Sequence, residues 1–179
     1  IRVNQGAAAA STLSELLAKH PGDLWLTLAL GEAEARAGRA EAADKLFESV
    51  LKSMPHNRAA MLTYAHVLAE RNTPAAGKRA QAVLRPLLGQ SSEDPEFQQA
   101  FARASEIAGD PVRAGEAYAE AAYLNGRPEQ ALVQLNTLKK RPDLDYYARA
   151  RIDARIAAIT PTVLELKRLG VRDEDLGQR

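Results

Sequence analysis

Apolar residues recur along this chain with the period of an α-helix. Met61, Tyr64, Ala65 and Leu68 fall at positions i, i+3, i+4 and i+7, which places them on one helical face. Segments with similar spacing follow one another and are separated by short stretches containing Gly, Pro, Asn or Asp. The pattern predicts an all-α protein of about 9–10 helices.

One stretch, GRAEAADKLFESVLKSMPHN, has a more specific spacing of glycine, alanine, aromatic residue and proline, namely Gly38, Ala43, Phe47 and Pro55. With Gly31 upstream, this spacing is similar to the tetratricopeptide (TPR) pattern, whose unit is about 34 residues. In that pattern Gly31 and Ala43 are small because two helices cross there. Gly38 is expected in the turn between them with a positive φ. Phe47 fills the gap toward the next unit, and Pro55 ends the helix.

The same register predicts a single TPR-like domain over the whole chain, a right-handed superhelical array of antiparallel helix pairs. Its parts are a half repeat at 1–23, repeats at 24–57, 58–95 and 96–126, an extra helix at 127–142, and C-terminal capping helices with a charged tail at 143–179. Because the chain starts inside a repeat, we expect that an upstream part was removed.

Proline residues predict where helices begin and end. Asp110 followed by Pro111 predicts a helix start, with an N-cap and then proline at the first helical position. Pro86 is expected to bend its helix or mark a break near its end, and Pro161 is expected to break the last long helix. The turn RNTPAAGK is about three residues longer than the repeat requires.

Composition narrows the function classes. Hydrophobic residues make up 46% of the chain and aromatic residues only 5%, which favours close-packed helices over a β-sandwich. The net charge of +1 disfavours a nucleic-acid-binding protein, which usually has a strong basic excess. The chain has no cysteine, so disulfides and thiolate metal sites are excluded. The sequence contains no run of about 18 apolar residues, so it predicts no membrane span.

Two stretches near the C-terminus, GRPEQALVQL (126–135) and YYARARIDARI (146–156), add a family resemblance. Together with the preceding repeats, they resemble the C-terminal TPR region of bacterial periplasmic zinc metallopeptidases of the β-barrel-assembly-enhancing protease (BepA-like) family. The resemblance implies a periplasmic parent protein that assists assembly and quality control of outer-membrane β-barrels. Its TPR region would bind the assembly machinery or its clients and pack against the protease domain.

The family's zinc is held by a His-Glu-x-x-His helix in the protease domain. The chain's histidines, His20, His56 and His66, form no such motif, so no catalytic residue, metal ligand or cofactor is assigned to this chain. By the resemblance, zinc would belong to the parent's protease domain. The absence of a phosphate-binding loop or nucleophile elbow favours binding over catalysis.

The repeat register also predicts a concave groove lined by the first helix of each pair. Its lining residues are Trp25, Leu28, Glu32, Arg36, Leu62, His66, Gln99, Arg103 and Glu106. This set lacks the Lys and Asn of a carboxylate clamp, and its mixed character suits an amphipathic or extended peptide. An alternative for Trp25 is burial by the preceding helix, since Trp is usually largely buried.

Three arginines, Arg149, Arg151 and Arg155, form a second candidate surface. Local ion pairing with Asp145 and Asp153 on a solvated helix is the simpler interpretation. The alternative is docking to a partner domain, which in the parent could be the protease domain.

Three functions remain open from the sequence. The first is the protein-interaction region of a periplasmic assembly protease, and the second is an unrelated TPR adaptor in a secretion or pilus assembly system. The third, a helical enzyme or nucleic-acid binder, would show metal-dependent hydrolysis or salt-sensitive binding to DNA or RNA.

Overall fold

The structure is a computed structural model that describes residues 2–173, and the side chains of residues 5–173. This range contains nine α-helices and no β-strand, which confirms the all-α prediction. The helices are α1 (Arg2–Lys19), α2 (Leu24–Arg36), α3 (Ala40–Ser53), α4 (Arg58–Glu70), α5 (Pro74–Leu84), α6 (Pro95–Ala108), α7 (Pro111–Leu124), α8 (Pro128–Lys139) and α9 (Tyr146–Arg168). The end of the predicted charged tail, after residue 173, lies outside the described residues.

The chain forms two compact units, residues 1–71 and 72–179. The assignment of both to one TPR-like domain stays a prediction. The boundary falls inside the predicted repeat at 58–95, in the turn that the sequence marks as too long. Each unit encloses apolar residues of its own: Leu30 and Ala33 are buried in the first, and Leu135 and Ile152 in the second. In both units, helices that follow one another in sequence pack together, as expected for a helical repeat.

In the first unit, small residues and one aromatic ring bring α2, α3 and α4 together. A Cβ on Gly31 would lie 2.7 Å from the ring of Phe47, so only glycine leaves room for that ring. Phe47 is fully buried and stacks on Tyr64 of the next helix pair, with ring centroids 4.8 Å apart. Ala43 is also fully buried, and Gly38 has φ 79° in the turn. The roles predicted for these residues are therefore confirmed.

A polar contact ties the end of α4 to α3 in the same unit. The guanidinium of Arg71 donates to both carboxylate oxygens of Asp44, at 3.0 and 2.5 Å, and the Tyr64 hydroxyl donates to the same carboxylate at 3.0 Å. The hydrogen bond that Arg71 donates to Asp44 raises the pKa of Arg71 above its ordinary value. Because charged, two-point hydrogen bonds are directional, this contact fixes the orientation of α4 relative to α3.

In the second unit, α5 approaches α6 closely at Gly77. A Cβ there would lie 2.4 Å from the backbone nitrogen of Ala108 in α6. After α6, Gly109 adopts φ 80°, and Asp110 caps α7 by accepting a hydrogen bond from the Arg113 backbone N–H at 3.1 Å. The predicted helix start at Asp110 is confirmed.

The two internal prolines behave differently. At Pro86, α5 has ended at Leu84 and a 3₁₀ turn, Arg85–Leu87, follows, as the sequence predicted. At Pro161, the predicted break is wrong, because α9 continues through it to Arg168.

The reason that α9 survives Pro161 lies in its packing. Ile159 and Val163, on either side of the proline, are both buried against the core of the second unit. Pro161 is exposed, and so is Ala157, whose carbonyl loses its helical hydrogen bond and can bind water instead. Burial of the flanking residues therefore outweighs the loss of one hydrogen bond.

We predict that Gly77→Ala destabilises the second unit although alanine is the better helix former. Overpacking costs about 1–3 kcal/mol, and the clash is with backbone, which cannot rotate away. Helix propensity returns about 1 kcal/mol, so we expect a net loss of up to about 2 kcal/mol in urea unfolding followed by circular dichroism. Gly89→Ala is the matched control, since nothing lies near its Cβ position. A stabilised Gly77→Ala variant would contradict the close approach.

Candidate functional site

The second unit contains a groove of about 780 Å³ between α7, α9 and the segment that joins α5 to α6. We call it the α7–α9 groove. Its lining combines charged, polar and apolar residues, and consists of Leu88, Ser92, Glu93, Gln98, Phe101, Arg113, Glu116, Ala117, Glu120, Tyr123, Leu124, Leu135, Arg151, Ile152 and Arg155.

Two arginines of α9 reach across to two glutamates of α7. Arg151 donates to both carboxylate oxygens of Glu116, from Nε at 2.9 Å and from Nη2 at 3.2 Å. One turn further along, Arg155 donates to both oxygens of Glu120, at 2.6 and 2.7 Å. Because each pair is bidentate, the two helices are held side by side at a defined spacing.

The second of these pairs has an additional contact. The guanidinium carbon of Arg155 lies 4.5 Å from the ring centroid of Tyr123, which is one turn after Glu120 on α7. This distance is typical of a cation–π interaction. Arg155 is therefore held by a carboxylate and an aromatic ring together, while its aliphatic stem covers part of the groove.

Several carboxylates surround the first pair. The Glu116 hydrogen bond raises the pKa of Arg151, and the charges of Asp145 and Asp110 raise it further by smaller amounts. Glu116 also lies 3.6 Å from the guanidinium of Arg113, one turn back on α7. Every arginine that lines the groove is therefore paired with a carboxylate.

The apolar half of the groove lies toward α6. Leu88, which follows the 3₁₀ turn, is 42% exposed, and Phe101 of α6 is partly buried and stacks on Phe97, with centroids 5.8 Å apart. Leu135 and Ile152, at the opposite side, are buried in the core of the unit. The groove thus combines accessible apolar surface with fixed ion pairs.

The residues predicted for a concave groove are divided between the two units, with Gln99, Arg103 and Glu106 in the second and the others in the first. In the first unit, Trp25 is 68% exposed, so its predicted alternative of burial is wrong. Leu28 and Leu62 are only 4% and 8% exposed. Both are therefore core residues of their helices, and the predicted groove stays a prediction.

The charged members of the predicted set lie on helix surfaces. Arg36 pairs with Glu32 at 3.8 Å, and His66 lies 3.3 Å from Glu70. Arg36 and Glu70 also line a second cavity, of about 740 Å³, in the first unit.

In the second unit, Arg103 pairs with Glu106 at 2.9 Å. Tyr118 donates to Glu106 at 3.0 Å, and its burial is the main cause of a raised pKa of this phenol. Gln99, Arg103 and Glu106 do not line the α7–α9 groove.

Two arginines of α9 form ion pairs with residues other than those predicted from the sequence. The sequence predicted local pairing with Asp145 and Asp153, but Arg151 and Arg155 pair with α7. Asp145 instead caps α9 by accepting from the Ala148 N–H at 2.6 Å, and Asp153 pairs with Lys139 of α8. Arg149 is exposed and does not line the groove.

Sequence reasoning missed Glu116, Glu120 and Tyr123. A signal was present: each ion pair joins residues 35 positions apart, which is about one TPR unit. Helices one unit apart lie side by side and run in the same direction. Acidic residues at positions i and i+4 of one helix are therefore opposite basic residues at positions i and i+4 of the other helix.

No group of three or more His, Cys, Asp or Glu side chains arranged to hold a metal occurs among residues 5–173. Nor does any helix in the part of the chain that the structure describes have the length and apolar character of a membrane span.

Comparison with known proteins gives no assignment. No protein-family model matches the chain, and a search of curated proteins finds no match either.

We predict that the Arg155–Glu120 pair couples more strongly than a surface pair with the same two-point geometry. A double-mutant cycle with Arg155→Gln and Glu120→Gln should give a coupling energy of about 1 kcal/mol, because the pair is bidentate and partly buried. The control is Arg168 with Glu165, which is also bidentate but far more exposed. An equal or larger coupling energy in the control pair would contradict the prediction that partial burial strengthens the Arg155–Glu120 pair.

Proposed function

We propose that this chain is a protein-interaction scaffold with no chemistry of its own. The observation that carries the proposal is the α7–α9 groove, in which partly exposed apolar side chains and bidentate ion pairs line the same cavity. Apolar surface next to fixed polar groups is the usual composition of a binding site. The all-helical architecture, with neighbouring helices stacked in chain order, is typical of proteins that bind other proteins.

We further propose that the scaffold is the TPR region of a periplasmic zinc metallopeptidase that assists outer-membrane β-barrel assembly and quality control. The support is the resemblance of the stretches at 126–135 and 146–156. These stretches include most of α8 and the first half of α9, so they contain two of the three arginines that line the groove, Arg151 and Arg155. The partners would be the barrel-assembly machinery, its clients, or the parent's own protease domain.

Site-specific photo-cross-linking in cells tests this function. A photoreactive amino acid at Leu88, an exposed residue of the groove, should cross-link the full-length protein to barrel-assembly components or unfolded barrel clients. The matched control is Leu164, which is also exposed and lies outside the groove lining. Cross-links to secretion or pilus components would instead identify a TPR adaptor. Equal labelling from both positions would contradict a binding role for the groove.

The open reading frame gives an independent test of the family. A domain with a His-Glu-x-x-His helix upstream of Ile1 is expected. Its absence from the full reading frame would exclude the metallopeptidase but leave the scaffold in place.

A further inference from the structure

We propose that residues 169–173, which we call the C-terminal clasp, close the N-terminus of α8 and open together with it. The inference concerns a conformational device within the second unit and does not depend on the proposed binding function. Three observations support it: α8 begins without a cap of its own, a carboxylate of the clasp takes the place of that cap, and little else holds the clasp.

The start of α8 lacks the side-chain cap that most helices of this chain have. Arg127, at the N-cap position, does not cap the helix with its side chain, and Pro128 at the first helical position has no backbone N–H. The N–H of Ala131 already donates to the Arg127 carbonyl at 3.0 Å. The backbone N–H groups of Glu129 and Gln130 are therefore the two that need an acceptor from outside the helix.

The carboxylate of Asp173 accepts from both of these N–H groups, from 44 and 43 positions further along the chain. Its Oδ1 accepts from the Glu129 N–H at 3.2 Å, and its Oδ2 accepts from the Gln130 N–H at 2.8 Å. A negative charge at this place also interacts favourably with the helix dipole. Asp173 therefore serves as the N-cap of α8 although it follows α9.

A tight reversal at the end of α9 brings Asp173 to this position. Gly170 has φ 68°, and its N–H donates to the Lys167 carbonyl at 3.1 Å. The next N–H, of Val171, donates to the Leu166 carbonyl at 3.0 Å. These two bonds and the left-handed glycine form a Schellman motif, which turns the chain back along the helix it has just left.

The clasp has little besides the Asp173 hydrogen bonds to hold it in place. Leu169 is 60% exposed, and Val171 is only partly buried. Lys167, just before the clasp, pairs with Glu129 at 2.9 Å, but both side chains are largely solvated and such pairs contribute little. We therefore expect the clasp and the first turn of α8 to open and close as one local unit.

This coupling makes the clasp a control element for α8. By linkage, a ligand or partner that binds residues 169–173 only in their released form loosens the first turn of α8 by the same free energy. Conversely, contacts that hold the first turn of α8 in its helical form keep the clasp closed.

Helix α3 offers a comparison within the same molecule. It also follows a Gly-Arg pair, and Arg39 at its N-cap position does not cap it with its side chain. Among the residues that the structure describes, the backbone N–H groups of Glu41 and Ala42, at the second and third helical positions, find no acceptor. Helix α3 thus shows how the start of α8 would behave without the clasp.

Amide hydrogen exchange of the whole chain, measured residue by residue by NMR, tests the proposal. After correction for intrinsic rates, Glu129 and Gln130 should exchange at least about tenfold more slowly than Glu41 and Ala42. Asp173→Ala should speed exchange at Glu129 and Gln130 about five- to tenfold and leave the two α3 amides unchanged. Unchanged exchange at Glu129 and Gln130 in this variant would overturn the proposal.

The amide of Val171 shows whether the two elements open together. In Asp173→Ala its exchange should also become faster, because the reversal that holds this amide is released with the carboxylate. Faster exchange at Glu129 and Gln130 without any change at Val171 would show a cap that holds no clasp, and it would contradict the coupled opening.

A second variant reaches α8 from a distance. Gly170→Ala places alanine at φ 68°, which is strained, although nothing lies near the Cβ position. This change touches no atom of α8, yet it should speed exchange at Glu129 and Gln130 at least about threefold. Gly89→Ala, with an equally open Cβ position and no positive φ, is the matched control and should have no effect. Equal exchange in the Gly170→Ala variant and the wild-type protein would exclude a clasp.

Discussion

Neighbouring helices in this chain pack closely at glycines, where the missing side chain leaves room for the backbone or a ring of the neighbour. Gly77 lies against the backbone of Ala108, and Gly31 lies against the ring of Phe47. Such contacts bring helix axes closer than large side chains allow, and they bury backbone that would otherwise be solvated. The position of each helix on its neighbour is therefore determined by where the small residues lie in the sequence.

Helix α7 shows how this packing creates a site. Its buried residues are almost all alanines, because it is packed between α6 and α8. The long residues of α7, Glu116, Glu120 and Tyr123, project from the remaining surface and meet the arginines of α9. Helices α7 and α9 are thus linked by long side chains across the groove, while α8 provides the shared core behind them. The groove follows from the separation of small and long side chains on one helix.

Local signals in the sequence predicted local structure well. The N-cap at Asp110 and the positive φ of Gly38 depend on residues close by in the sequence, and Phe47 fills the gap to the adjacent repeat; all three predictions are confirmed. The errors concern competition between local and long-range interactions. Pro161 does not break α9, because buried neighbours on both sides hold the helix. Arg151 and Arg155 do not pair with the nearby aspartates, because glutamates one repeat away in α7 accept bidentate hydrogen bonds from them. Leu28 and Leu62 are buried, which the generic repeat register did not predict because it does not specify which positions face solvent.

Nuclear Overhauser effects between α5 and α6 test the account most directly. If small residues bring these helices into backbone contact, the α-protons of Gly77 should give a strong cross-peak to the amide proton of Ala108 in the folded protein. The cross-peak should persist when Glu93 is changed to Lys, since the groove depends on the packing and the packing does not depend on the groove. A helical protein with no cross-peak between these two residues would contradict the stacking on which the groove is built.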